Sequence, residues 1–228
     1  MSETVKKRQL PVWQESILLV VIAMVMAVVV KAFFLQAFYI PSESMEPTML
    51  VNDKILVQKV SYWTGDPQRG DIVVFDDPGG WLDASEDAKA SNPVQKALEV
   101  VGLFPTGGHL IKRVVGVGGD RVACCDEQGR LTVNGTSIDE PYLRDPAANS
   151  ETRFDVIVPK DHLWVEGDNR GNSADSRVHQ GDPGGGFIPV DAVVGKAWVR
   201  VWPWKRMGFI RDTDAFAEVP DDPPAKRE

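Results

Sequence analysis

The sequence predicts a mainly β protein: a single N-terminal transmembrane helix, then an extracytoplasmic antiparallel β-sheet domain with a small β-ribbon subdomain. Three observations predict it. One long apolar run extends from Val12 to Val30, short β-branched segments bounded by turn residues follow, and Asn134-Gly135 separates Leu131-Thr-Val133 from Thr136-Ser-Ile138. With 228 residues, 43% of them hydrophobic, the chain can bury a sizeable core beside a membrane segment.

Taken in order, residues 1–11 form a cytoplasmic N-terminus and residues 12–35 the anchor. As a helix, the run from Val12 to Val30 rises about 28 Å, close to the thickness of a bilayer's hydrocarbon core. Lys6, Lys7 and Arg8 precede it and only Lys31 follows closely, so the positive-inside bias leaves the N-terminus in the cytoplasm. A cleavable leader has the same beginning. Lys31-Ala-Phe-Phe-Leu-Gln-Ala-Phe-Tyr39 lacks the paired small residues of a cleavage site, which favours an uncleaved anchor.

Residues 36–215 form the extracytoplasmic domain. Its strand-like runs are Lys54 to Val60, Asp71 to Phe75, Leu110 to Val117, Leu131 to Val133, Phe154 to Val158, Leu163 to Glu166 and Val193 to Trp202. Asn-Gly suits a type I′ hairpin because both central residues need positive φ, which places a β-ribbon within 120–160. Residues 77–108, with Pro78-Gly-Gly80 and an acidic patch, read as an insertion. Residues 216–228, rich in proline and charge, read as a disordered tail.

A net charge of −8 and no basic stripe after residue 31 argue against nucleic acid. Cys124 and Cys125 are adjacent and cannot supply a spaced zinc set, so no metal and no cofactor is expected. They read equally as an oxidised pair or as two buried thiols.

The chemistry concentrates in Tyr39-Ile-Pro-Ser-Glu-Ser-Met-Glu-Pro-Thr-Met-Leu-Val51, a serine-rich turn bracketed by Pro41 and Pro47 just past the membrane run. Both prolines fix φ, which limits the entropy lost in holding a reacting geometry. Ser44 is the candidate nucleophile. A serine hydroxyl needs a base, and His109, His162 and His179 lie in no triad-like setting. Lys112, in His109-Leu-Ile-Lys-Arg-Val-Val-Gly-Val-Gly-Gly-Asp120, forms with Arg113 a basic pair that has apolar neighbours on both sides. From an ordinary lysine value of about 10.4, a base near neutrality needs roughly 3 to 4 kcal/mol of bias toward the neutral amine, which burial can supply.

These segments, together with Arg69-Gly-Asp-Ile-Val-Val-Phe75 and Glu166-Gly-Asp-Asn-Arg-Gly-Asn-Ser-Ala-Asp-Ser-Arg177, occur in an order that resembles type I signal peptidase, the bacterial leader peptidase family with a Ser/Lys dyad. The resemblance covers the apolar run and nearly all of residues 36–200. It implies Ser44 as nucleophile, Lys112 as general base, and the Ser44 amide with the Ser42 hydroxyl as oxyanion donors. Ser173 matches the serine that orients the lysine, and Arg113, Asp168, Asp175 and Arg177 match the ion pairs that frame the site. Ile40, Met45, Leu110 and Ile111 match the lining of shallow pockets for small residues. The implied partners are signal-peptide-bearing preproteins and the lipid bilayer of a plasma membrane, near the secretion translocon. Three positions depart from the family pattern: Glu43 where glycine is frequent, Gly171 where aspartate is, and Met49 where leucine is usual.

Arg69-Gly-Asp71 also reads as an adhesion tripeptide and Asn134-Gly-Thr136 as a glycosylation sequon, although strand and hairpin roles explain both. Trp198, Trp202, Trp204 and Phe209 suit either a lipid interface or core packing. Two rivals stay open. A self-cleaving repressor-type peptidase shares the dyad, and an anchored binding module needs none.

Overall fold

The computed structural model describes residues 11–63, 65–82, 108–211 and 213–221, with the side chains of 29–33, 150 and 151 left aside. The expectations for residues 1–10, for the centre of the insertion and for residues 222–228 lie outside the described residues.

Helix α1 spans Val12–Phe33, and strand β1 (Leu35–Tyr39) follows almost at once. The expected anchor boundary at 35 therefore overruns the helix by two residues. Leu35-Gln-Ala-Phe-Tyr39 pairs in full with β2 (Lys54–Gln58), and this pairing closes the serine-rich turn into the mouth of a β-hairpin. The side chains described along α1 are exposed on every face, from Ile17 through Met26 and beyond. Among the described residues no helix is long and apolar enough to cross a membrane.

The remaining strands are β3 (Ile72–Asp76), β4 (His109–Val117), β5 (Arg121–Cys124), β6 (Leu131–Val133), β7 (Thr136–Ser137), β8 (Phe154–Ile157), β9 (His162–Glu166), β10 (Ile188–Pro189), β11 (Val193–Trp202) and β12 (Gly208–Phe209). The larger sheet runs β1-β2-β11-β3-β4-β9-β10, with β12 on β11, and a second sheet runs β7-β6-β5-β8. All the pairings are antiparallel.

β3 is buried on both faces. Ile72 and Val74 join a core with Ile40, Met45, Met49 and Ile111, while Val73 and Phe75 join one with Val114, Leu163 and Val165. Its unbroken apolar run is the signature of a strand covered on two sides. The smaller sheet has its own core of Val122, Leu131, Val133 and Phe154, shared with Trp164.

Asn134 and Gly135 take φ of 50° and 81°, as the hairpin requires. The Asn134 amide donates to Asp120 Oδ1 and to the Pro220 carbonyl, both at 2.8 Å. That side chain is tied inside the fold, so the sequon is a turn. Arg69 likewise forks onto Asp120 at 2.6 and 2.7 Å, and Asp71 pairs with Lys196 at 2.7 Å, which binds the adhesion tripeptide into the sheet. Phe216 and Val219 pack into the core of the smaller sheet. The tail therefore docks as far as these two residues. Its composition hid this because two apolar side chains among prolines and acids carry no periodic signal.

Candidate active site

The serine turn, strand β4 and the loop after β9 converge at Ser44. The turn that carries it is closed by the bonds Glu46 N–H to Glu43 O at 3.0 Å and Met49 N–H to Met45 O at 2.9 Å. Met45 and Met49 point down into the core and are fully buried. Apolar side chains thus pin the turn from below while Ser42 and Glu43 stay exposed at its rim.

Lys112 reaches this turn from β4. Its Nζ donates to Ser44 Oγ at 2.9 Å and to the Ile111 carbonyl at 3.1 Å, with Ser44 only 6% and Lys112 only 4% exposed. A hydroxyl and an amine at this separation, shielded from water, can exchange a proton directly. The Ser42 hydroxyl lies 3.2 Å from Ser44 Oγ. His109 instead pairs with Asp76 at 2.7 Å, His179 with Asp182 at 2.6 Å, and His162 with the Lys160 carbonyl at 2.9 Å.

The loop after β9 supplies the frame. Arg113 forks onto Asp168 with Nε at 2.8 Å and Nη2 at 2.7 Å, donates to the Gly70 carbonyl at 2.9 Å, and lies 3.9 Å over the Tyr142 ring. Burial opposes the Arg113 charge, but Asp168 overcomes it and raises its pKa above the ordinary value. Thr48 donates to the same carboxylate at 2.5 Å, which ties the serine turn to the frame.

Asp175 receives Arg177 at 2.8 and 2.9 Å and the Gly167 N–H at 3.0 Å. Burial works against its charge, yet these donors hold its pKa below the ordinary value. The Ser173 hydroxyl is buried where the loop is tightest: a Cβ on Gly167 would overlap both Ser173 Oγ and the Ser44 carbonyl.

Of the expected pocket residues, Ile40, Met45 and Ile111 share the core beneath the serine turn, while Leu110 packs against the core on the other face of the sheet. The three form an apolar floor below Ser44.

Several buried residues lay inside or near the quoted motif without an assigned role. Arg170 bonds Glu140 at 2.5 and 3.2 Å, the Gly167 carbonyl at 2.9 Å and the Asn149 side chain, and pairs with Glu166 at 2.9 Å. Burial pushes the Glu166 carboxyl above its ordinary value, against the pull of Arg170 and Arg177. Asn169 bonds the serine turn directly. Two acids followed by a base in Glu166-Gly-Asp-Asn-Arg170 could have signalled the network, but Glu140 and Asn149 are distant in sequence.

Cys124 and Cys125 are joined in a disulfide. Among the described residues no group of three or more His, Cys, Asp and Glu side chains is placed to hold a metal ion. Trp198, Trp202, Trp204 and Phe209 are all exposed, which sets aside core packing for them.

The family described as "Signal peptidase, peptidase S26" matches residues 13–202. "Signal peptidase I" of Mycobacterium tuberculosis is 41% identical over 226 residues, covering 88% of this chain and 76% of its own. "Signal peptidase I" of Leptolyngbya laminosa is 36% identical over 196 residues, covering 86% and 83%. "Signal peptidase I P" of Bacillus subtilis subsp. natto is 32% identical over 180 residues, covering 75% and 80%.

Proposed function

The chain belongs to the signal peptidase, peptidase S26, family, and on that premise we propose that it removes signal peptides from exported preproteins through a Ser44/Lys112 dyad. The observation that carries the reading is the buried 2.9 Å contact between Lys112 Nζ and Ser44 Oγ.

In the proposed mechanism neutral Lys112 takes the Ser44 proton as Oγ attacks the carbonyl carbon before the scissile bond. The tetrahedral oxyanion is met by the Ser44 N–H and by the Ser42 hydroxyl, once that hydroxyl turns from its resting contact with Ser44 Oγ. Lys112, now an ammonium, gives the proton to the departing amine, which breaks the C–N bond and leaves Ser44 acylated. Water then attacks the ester with Lys112 again as base, releasing the new carboxylate and restoring the serine. By the family resemblance Ser173 is assigned to orient the lysine, although its hydroxyl, buried beside Gly167, makes no hydrogen bond to Lys112 among the described residues; the Arg113–Asp168 and Arg177–Asp175 pairs hold the loop that carries Ser173.

The substrate is a chain with small residues, Ala-X-Ala, at the third and first positions before the cleaved bond. Support for small residues comes from Ile40, Met45 and Ile111, which share the apolar core beneath the serine turn, whereas Leu110 packs on the opposite face of the sheet. Preproteins with leucine in place of either alanine should be cleaved far more slowly; equal rates would refute this specificity.

We place the enzyme on a plasma membrane, near the secretion translocon, with α1 as its anchor and the sheet domain outside the cytoplasm. Within α1 the stretch from Ile17 to Val28 is apolar and exposed all round, which favours a non-aqueous surrounding for it. Trp13 stands near one end of it and the Phe34–Trp63 ring pair, centroids 5.3 Å apart, at the other, as in an aromatic belt. The exposed Trp202, Trp204 and Phe209 would rest on the lipid interface. Holding enzyme and tethered substrate at one depth raises their effective concentration. Protease protection in spheroplasts tests this topology: a sheet domain shielded from external protease would overturn it.

A further inference from the structure

We propose that Asn169 is a positioning residue for the oxyanion site, fixing the peptide group whose N–H belongs to Ser44. This rests on the reading of Ser44 as nucleophile. The Glu43 carbonyl and the Ser44 N–H are two ends of one planar unit. That peptide is not among the cis bonds, so its C=O and N–H point in opposite directions. Whatever holds the carbonyl aims the N–H.

Asn169 Nδ2 donates to the Glu43 carbonyl at 3.0 Å, and the Asn169 N–H donates to the Ser44 carbonyl, also at 3.0 Å. One residue thus grips the peptide on each side of the Ser44 Cα and so restrains both of its backbone dihedrals. Among the described residues the Ser44 N–H makes no backbone hydrogen bond, which leaves it open to a developing negative charge.

Asn169 is itself held. It is 6% exposed, its carbonyl accepts from the Asn172 N–H at 2.9 Å, and its neighbour Asp168 is locked by Arg113. The clamp is therefore in place before substrate arrives, as preorganised electrostatic stabilisation requires.

A tie that merely fastened loop to turn would affect folding and ground-state binding alike, whereas a clamp on the oxyanion donor affects the transition state selectively. The Glu46 N–H also donates to the Glu43 carbonyl and remains in any Asn169 variant. The expected loss is therefore about 10- to 100-fold in kcat, below the loss of a whole oxyanion donor.

The test uses the full-length enzyme in detergent micelles with a preprotein substrate, comparing wild type, Ser44→Ala, Asn169→Ala and Asn169→Asp. Asn169→Asp keeps the side-chain shape and the backbone N–H but removes the amide donor, and it decides the matter if Asn169→Ala does not fold. The expected result is the stated fall in kcat with KM within about twofold. A peptide boronate ending in alanine should lose affinity by the same factor, while an uncleavable peptide binds unchanged. Wild-type kcat in Asn169→Asp, or equal losses for boronate and uncleavable peptide, would overturn the assignment. Cleavage retained by Ser44→Ala would instead sink the nucleophile reading, so the two failures are distinguishable.

Discussion

Replacing Asp168 by asparagine removes one buried negative charge and strands a buried positive one. Asp168 is wholly buried and Arg113 is 2% exposed. The wild-type pair makes two charge-assisted bonds at 2.7 and 2.8 Å, and among the described residues the further partners of Arg113 are the Gly70 carbonyl and the Tyr142 ring. Breaking such a pair from one side costs about 3 to 5 kcal/mol, because the orphaned charge cannot return to water. For a domain of this size that lowers Tm by roughly 6 to 20 °C. Tryptophan fluorescence during thermal unfolding in detergent reads it. Asp168→Asn combined with Arg113→Met should recover most of the loss, since neither charge then remains, and the double-mutant cycle isolates the coupling. A fall of less than about 1 kcal/mol for Asp168→Asn, or a double variant less stable than either single one, would refute the reasoning.

Gly167→Ala should abolish cleavage, because its Cβ would overlap Ser173 Oγ and the Ser44 carbonyl, whereas Gly181→Ala meets nothing within 4 Å and should behave as wild type. Equal activity in the two variants would contradict the packing described. Stability should decline with acid. Asp175 titrates below its ordinary value, so its contribution is present above about pH 4 and lost as pH falls through the folded value. Glu166, raised by burial, acts oppositely: its contribution is present at low pH and lost as pH rises through its folded value, so it offsets part of the decline. Asp175→Asn should flatten the acid side of a Tm-against-pH curve, and an unchanged slope would count against this. In the proposed dyad Lys112 acts as base only when neutral, and its burial disfavours the charged form, so the cleavage rate should rise with pH to a plateau. A rate still climbing near pH 10, without an earlier plateau, would be evidence for a different base.

β2, β3, β4, β6, β8, β9 and β11 were legible because β-branched runs bounded by turn residues leave few alternatives, whereas β5 (Arg121–Cys124), short and opening on a charge, was not among the runs read. β1 was not: Leu35-Gln-Ala-Phe-Tyr39 follows the apolar helix so closely that hydropathy merges the two. β10 and β12, two residues each, owe their existence to partners far away in sequence. At the site, the contact of Ser44 with Lys112 and the ion pairs among Arg113, Asp168, Asp175 and Arg177 were anticipated through the family resemblance that the ordered motifs carry. The clamp by Asn169 was not, because an asparagine gives no sign in sequence of which carbonyl it will bond. Glu140 likewise reveals its part only when the chain brings it to Arg170.

The most direct measurement is cleavage of a preprotein bearing an Ala-X-Ala site by wild type, Ser44→Ala and Lys112→Ala, each shown to be folded by its thermal transition. The account predicts that processing by the wild type falls to background in both variants. Appreciable cleavage by either variant, or none by the wild type, would contradict a Ser44/Lys112 dyad.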